Sequence, residues 1–163
     1  MDFSKIGQNP PKIQANFDPN FISGKWYKIL GINPKYDLFD CQINKFEFSD
    51  SDPNTANLEV EFRLKKLNSL GGAYWKNKVK EVLEIDPLDS PRTFHTEGKM
   101  FGLTFRENWY VIGSGTINSE DFVLVQYKGH TMQGSYEGGF VYARSPNLDQ
   151  NTINNIKLEA KKL

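Results

Sequence analysis

Four kinds of residue in this chain could do chemistry, and their spacing decides which of them can. Ser114 lies between Gly113 and Gly115, the setting of a nucleophile elbow. The following Thr116-Ile117-Asn118 reads as a turn rather than a helix, so an acyl-transfer serine lacks its context. His95 and His130 have no Cys or His at ligand spacing, and no bound metal is expected. The glycine pairs at 71–72 and 138–139 lack the strand, loop and helix that cradle a phosphate; they read as turns or bulges, and no nucleotide is expected. Cys41 is the single cysteine, which rules out an internal disulfide and says nothing about redox compartment. Aromatic side chains, at 13% with Trp26, Trp75 and Trp109 among them, are more generous than an ordinary core requires and suit a lined ligand cavity.

These residues must be positioned by elements that the rest of the chain specifies. At 163 residues and 18.7 kDa the chain fits one domain that buries about two thirds of its unfolded surface. Twenty basic and twenty acidic side chains cancel, and no basic patch with interleaved aromatics stands apart, so nucleic acid is not an expected partner. No apolar run approaches the roughly 18 residues of a membrane span, and the first 20 residues do not read as a secretion signal. In 58–65, Leu58, Val60, Phe62 and Leu64 alternate with Glu59, Glu61, Arg63 and Lys65, a strand with one dry face and one wet face. Comparable runs at 25–33, 40–48, 73–84, 92–97, 99–105, 108–114, 121–128 and 137–144 give eight or nine strands separated by Gly, Pro, Asn and Asp. The fold class is all-β, and the count suits an eight-stranded antiparallel up-and-down barrel, with a two-sheet sandwich as the competing architecture. From 150 to 163 the period changes: Ile153, Ile156, Ala160 and Leu163 recur at helical spacing, with Asp149 or Asn151 as cap. That C-terminal helix could pack on the barrel or dock onto a partner. Residues 1–15 read as an extended arm and 24–145 as the barrel.

Gly24-Lys25-Trp26-Tyr27, following Asn16-Phe17-Asp18-Pro19-Asn20-Phe21, together with Arg144 at the close of the last strand-like run, resembles the latch of a lipocalin. There a Trp plugs the bottom of the barrel and a guanidinium stacks across its indole. The resemblance narrows further. Gly31-Ile32-Asn33-Pro34, Tyr36-Asp37-Leu38-Phe39-Asp40-Cys41-Gln42, Asn108-Trp109-Tyr110, the run 120–129 and Gly138-Gly139-Phe140-Val141-Tyr142-Ala143-Arg144-Ser145 resemble the lipocalin domain of the violaxanthin de-epoxidase family, over residues 17 to 160. That family reduces xanthophyll epoxides with ascorbate.

Position by position, the resemblance implies Glu107 as the acid that protonates an epoxide oxygen and Tyr127 as the phenol across the cavity. It also implies that Gln42, Trp109 and Tyr142 line the cavity. The family's acid is usually aspartate; a Glu moves the carboxyl outward, and a misplacement of about 1 Å can cost 10²-fold. A carboxyl buried among aromatics keeps its proton because desolvation raises its pKa, which is what epoxide opening needs. Glu107 and Trp109 share one face of their strand, as do Val123, Val125 and Tyr127. If those faces point inward, acid and phenol meet; the alternative leaves Glu107 at a hairpin end in water.

Other implications follow from departures. The family's flanking Cys-rich and Glu-rich segments are not in these 163 residues, which read as a stand-alone domain. The position two after Gln42 is Asn44, where the family's acid-dependent dimerisation is attributed to His residues, so an acid switch of that kind is not expected. Cys41 matches a cysteine that pairs outside the barrel, and is expected here to be free and buried. The resemblance implies an apolar ligand such as a xanthophyll or another isoprenoid, ascorbate as co-substrate, and a thylakoid-lumen setting in the chloroplast. It leaves three readings open: an epoxide-opening oxidoreductase, a non-catalytic carotenoid or lipid carrier, and a structural subunit of a larger protein assembly. A membrane-surface encounter is the remaining partner.

Overall fold

The alternation in 58–64 becomes a strand whose Leu58, Val60 and Phe62 are buried while Arg63 faces water, and the same two-residue period builds the rest of the wall. The computed structural model describes residues 14–37, 39–65, 74–86, 88 and 93–162. Its strands are β1 Gly24–Gly31, β2 Asp40–Phe48, β3 Thr55–Lys65, β4 Tyr74–Ile85, β5 Phe94–Met100, β6 Leu103–Ile117, β7 Glu120–Thr131 and β8 Gly134–Ala143, followed by helix α1 Gln150–Lys161. Each strand pairs antiparallel with the next, and β1 pairs with β8, so the sheet closes into a barrel rather than splitting into a sandwich. The inward row of aromatic and aliphatic side chains forms the main core.

The count is eight because one run was divided wrongly. The segment 99–105 is not a strand of its own: Phe101-Gly102 form a two-residue turn between β5 and β6, flanked by the Met100 and Leu103 pair. Both turn residues have positive φ, 51° and 79°, the geometry of a type I′ hairpin. Asn118 and Ser119, at 50° and 64°, join β6 to β7 in the same way. The run 108–114 is the middle of β6.

Cys41 is exposed, not buried. The register of β2 against β3 shifts between Asp40 and Ile43, and Cys41 sits in that bulge with φ 53°, which turns its side chain outward. Residues 1–13 of the expected arm and the Gly71-Gly72 turn lie outside the described residues. Gln14 donates its N–H to the Val111 carbonyl at 2.9 Å and accepts from the Ser114 hydroxyl at 2.8 Å. Ser114 is therefore a β6 residue that anchors the chain entry.

The closed end is built around Trp26. A 3-10 turn, Pro19–Ile22, is capped by Asp18, and its Ile22 carbonyl accepts the Trp26 indole N–H at 2.7 Å. Arg144 lies over the indole with Cζ 3.6 Å from the ring centroid, and donates to the carbonyls of Lys25 at 2.9 Å and Phe21 at 3.1 Å. The entry segment, β1 and the end of β8 thus meet at one guanidinium.

Helix α1 packs on the outside of the barrel: Ile156 is buried with Phe122, Leu124 and Val141. Asp149 caps it, accepting from the Thr152 N–H at 2.9 Å and the Thr152 hydroxyl at 2.7 Å. The buried face runs through Thr152 and Ile156, and Ala160 is exposed. No described helix is long and apolar enough to cross a membrane.

Arg144→Ala removes a cation–π contact and two hydrogen bonds to carbonyls, and is expected to lower unfolding stability by about 2 kcal/mol. Arg144→Lys should recover less than half of that, because an ammonium cannot stack and bridge both carbonyls at once. Urea unfolding of the three proteins measures this, and equal midpoints would show that the stack carries no stability.

Candidate functional site

Inward positions on all the strands leave a cavity of about 340 Å³, open toward the β1–β2, β5–β6 and β7–β8 turns and floored above Trp26. Its wall is largely apolar, with Phe39 stacked on Phe62 at 4.5 Å and Phe140 against Tyr142 at 4.6 Å. Gln42, Glu107, Trp109, Tyr127 and Tyr142 all line it, while Trp26 and Arg144 close the far end.

Glu107 lies inside β6, opposite Thr96 of β5 and Gly129 of β7, rather than at a hairpin end. One carboxylate oxygen accepts the Trp109 indole N–H at 2.6 Å and the other accepts the Tyr136 hydroxyl at 2.7 Å. Burial raises its pKa, and these two hydrogen bonds pull partly against that. Tyr127 does not share a hydrogen bond with Glu107. Its hydroxyl donates to Asp37 at 3.0 Å, so acid and phenol enter one cavity with separate partners, and Tyr136 is the phenol held against Glu107.

Asp37 is carried by the β1–β2 loop. Its second oxygen accepts the Asn33 N–H at 2.9 Å, while the Asn33 side chain donates to the Glu137 carbonyl at 2.7 Å, which pins the loop to β8. Lys28 reaches Asp37 at 3.4 Å, and its amine lies 4.2 Å from the centre of the Phe140 ring. Burial lowers the Lys28 pKa, opposed by the Asp37 charge. On β4, Glu81 points inward between Val79 and Leu83. Burial, with the Glu107 charge adding to it, pushes its pKa up to about 8. A chain of amides completes the site: Gln42 donates to Asn44 at 3.1 Å, and Asn44 to the Tyr142 hydroxyl at 2.7 Å. Among the described residues, Glu81 Oε2 and Gln42 Oε1 are buried without a hydrogen-bond partner.

Gly138 and Gly139 form neither a turn nor a bulge. They sit within β8, paired in register with Tyr127 and Gln126. A Cβ on Gly138 would strike the Tyr127 phenol and lie 2.8 Å from an Asp37 oxygen, so the glycine makes room for that hydrogen bond. Gly129 does the same for the ring of Tyr136, and Gly98 for Phe105 and Glu81.

Lys28, Asp37, Glu81 and Tyr136 escaped the sequence reading. Lys28 and Glu81 carried a usable signal, since each shares parity with buried neighbours, Trp26 for the first and Val79 and Leu83 for the second. Tyr136 likewise lies in step with Phe140 and Tyr142. Asp37 comes from a loop, where no period exists to reveal it.

Glu81 has a folded pKa of about 8 against an ordinary 4.5, so between those values the unfolded chain releases a proton that the folded chain retains. Its contribution to stability therefore falls as pH rises from 4.5 to 8 and is level on either side. Glu81→Gln should remove this slope and raise stability at pH 8 by roughly 4 kcal/mol relative to its effect at pH 4. Urea midpoints across that range test it; parallel curves for both proteins would place the Glu81 carboxyl in water.

Comparison with known proteins adds relationship to this geometry. The family model of the VDE lipocalin domain matches residues 2–163. Violaxanthin de-epoxidase of Arabidopsis thaliana, a chloroplastic protein, is 29% identical over 157 residues, 95% of this chain and 32% of its own length. The Nicotiana tabacum enzyme is also 29% identical, over 95% of this chain and 31% of its length. The chain thus spans about a third of the curated relatives it matches. Among solved structures, lobster apocrustacyanin A1 superposes with a TM-score of 0.61 at 16% identity, over 89% of this chain and 72% of that one. Apocrustacyanin C1 gives 0.61 at 16%, over 93% and 81%; these two show the shared fold. This chain belongs to the family of violaxanthin de-epoxidase lipocalin domains.

Proposed function

We propose that the barrel binds the end ring of an elongated isoprenoid such as a xanthophyll and opens its epoxide, with Glu107 as the acid. The observation that carries this reading is a carboxyl kept toward its protonated form inside an aromatic cavity and oriented by Tyr136 and Trp109. A volume of about 340 Å³ is at the small end for ligand sites and suits one cyclic end group, with the polyene leaving through the mouth.

In the proposed reaction Glu107 delivers its proton to the epoxide oxygen as a C–O bond breaks. Two electrons and a second proton from ascorbate complete the carbon–carbon double bond and release the oxygen as water, with ascorbate leaving as dehydroascorbate. Tyr127, held by Asp37, positions the ring from the facing wall, and Trp109, Tyr142 and Gln42 shape the pocket. The tips around the mouth support collection of the ligand from a lipid surface, since Met132 is 92% exposed, Phe101 66% and Trp75 61%. The chloroplastic relatives support a chloroplast setting.

A carrier is the second reading, favoured by one observation: both Glu107 oxygens already have donors within the barrel. The two are separated by mixing the protein with violaxanthin in galactolipid and ascorbate, at mildly acidic and neutral pH, and chromatographing free and bound pigment. The expected result is de-epoxidised product whose rate falls as pH rises through the raised pKa of Glu107. Glu107→Gln should bind pigment and leave it unconverted. Bound but unchanged pigment with both proteins establishes the carrier, and no binding rejects both readings.

A further inference from the structure

We propose that Lys28 is a covalent attachment point, whose side-chain amine forms a reversible imine with an aldehyde at the end of an elongated apolar ligand. The inference needs the cavity and is independent of epoxide chemistry at Glu107. Three observations carry it. The Lys28 side chain is only 7% exposed and lines the ligand cavity, so its amine is reached through the mouth and not from bulk solvent. It lies over the ring of Phe140, desolvated as amines activated toward carbonyl groups are, even with Asp37, Glu107 and Glu81 acting on its charge. Its one ionic partner among the described residues, Asp37, is 3.4 Å away, beyond the 2.7–2.9 Å typical of a strong charge-assisted bond.

Asp37 is committed elsewhere, to the Tyr127 hydroxyl and the Asn33 N–H, which leaves Lys28 at its edge. A lysine buried only to hold the loop would be expected to make closer and more numerous hydrogen bonds. Burial also lowers the Lys28 pKa, raising the share of free amine.

The chemistry balances without a redox partner. The amine nitrogen adds to the carbonyl carbon, and the carbonyl oxygen takes one proton from the amine and one, net, from solvent, then departs as water. The nitrogen keeps its remaining proton and a positive charge as the protonated imine, for which Asp37 is the counter-ion. Glu107, Glu81 and Asp37 are the carboxyl groups whose charges act on this amine. Water reverses the step.

The test uses all-trans-retinal as a polyene aldehyde and retinol as the matching alcohol, each at one equivalent per protein. Cyanoborohydride trapping followed by peptide mass spectrometry should place the retinyl adduct on Lys28 in the unaltered chain, accompanied by a red shift of the polyene absorption. Retinol should quench tryptophan fluorescence and give neither adduct nor shift. Lys28→Arg should keep retinol binding and lose both signals. Adducts on exposed lysines with Lys28 unmodified would overturn the proposal, as would a red shift that survives in Lys28→Arg. Because the mapping is done on the unaltered chain, the result does not depend on the folding of the variant.

Discussion

The pairing of β1 with β8 is the constraint on which the rest depends. An open sheet would expose two rows of unpaired backbone groups and lose its enclosed interior; closure removes both edges and turns one face of every strand into a common inside. The guanidinium of Arg144 works at that seam. It ties the end of β8 to the carbonyl of Lys25 and to the entry turn while covering the indole that floors the cavity. Among the described residues no such plug stands at the opposite end, and the opening there gives a ligand its direction of approach.

Inside that closed wall, the protein carries an unusual electrostatic load. Lys28, Asp37, Glu81 and Glu107 all face the cavity, where charge is poorly solvated, and burial drives Lys28, Glu81 and Glu107 toward neutrality. Asp37 is the best satisfied, with an N–H, a phenol and an ammonium directed at it. Glu81 is the least, with one oxygen lacking a partner among the described residues. A core built for stability alone would hold aliphatic side chains there, so the polar layer costs folding free energy. Glycines at 98, 129 and 138 are the steric counterpart, each leaving space for a bulky cavity group that a Cβ would displace.

The wall was legible in the sequence because period-2 alternation is a direct record of a strand with two environments. Glu107, Trp109 and Tyr127 came from the family resemblance, and the period showed only that Glu107 shares a face with Trp109 and Tyr127 with Val125. It failed where its assumption failed. Alternation assigns charged residues to water, so Lys28 and Glu81 were passed over although their parity pointed inward. Phe101 is apolar and sits at a turn tip, which merged the ends of two strands into the false run 99–105. The pair Gly138-Gly139 was read through backbone freedom, whereas its role is close approach to the Tyr127 phenol and Asp37. Cys41 was expected to be buried, and a bulge reversed its direction. Asp37 had no periodic signal, because a loop residue is placed by the hydrogen bonds of its own turn.

The two-residue turns at 101–102 and 118–119 have a consequence for how the barrel assembles. Strands β5, β6 and β7 form a ladder whose partners are close in sequence, and hairpins of that kind zip on a timescale of microseconds. The seam joins Tyr27 to Ala143, and the entropy of closing so long a loop must be overcome before its contacts return anything. The kinetic barrier is therefore expected at circularisation, with the hairpins forming early and the indole and guanidinium stacking late. In the native ensemble the same seam is expected to exchange its amide protons through the smallest opening, and the β6–β7 hairpin to keep its protection.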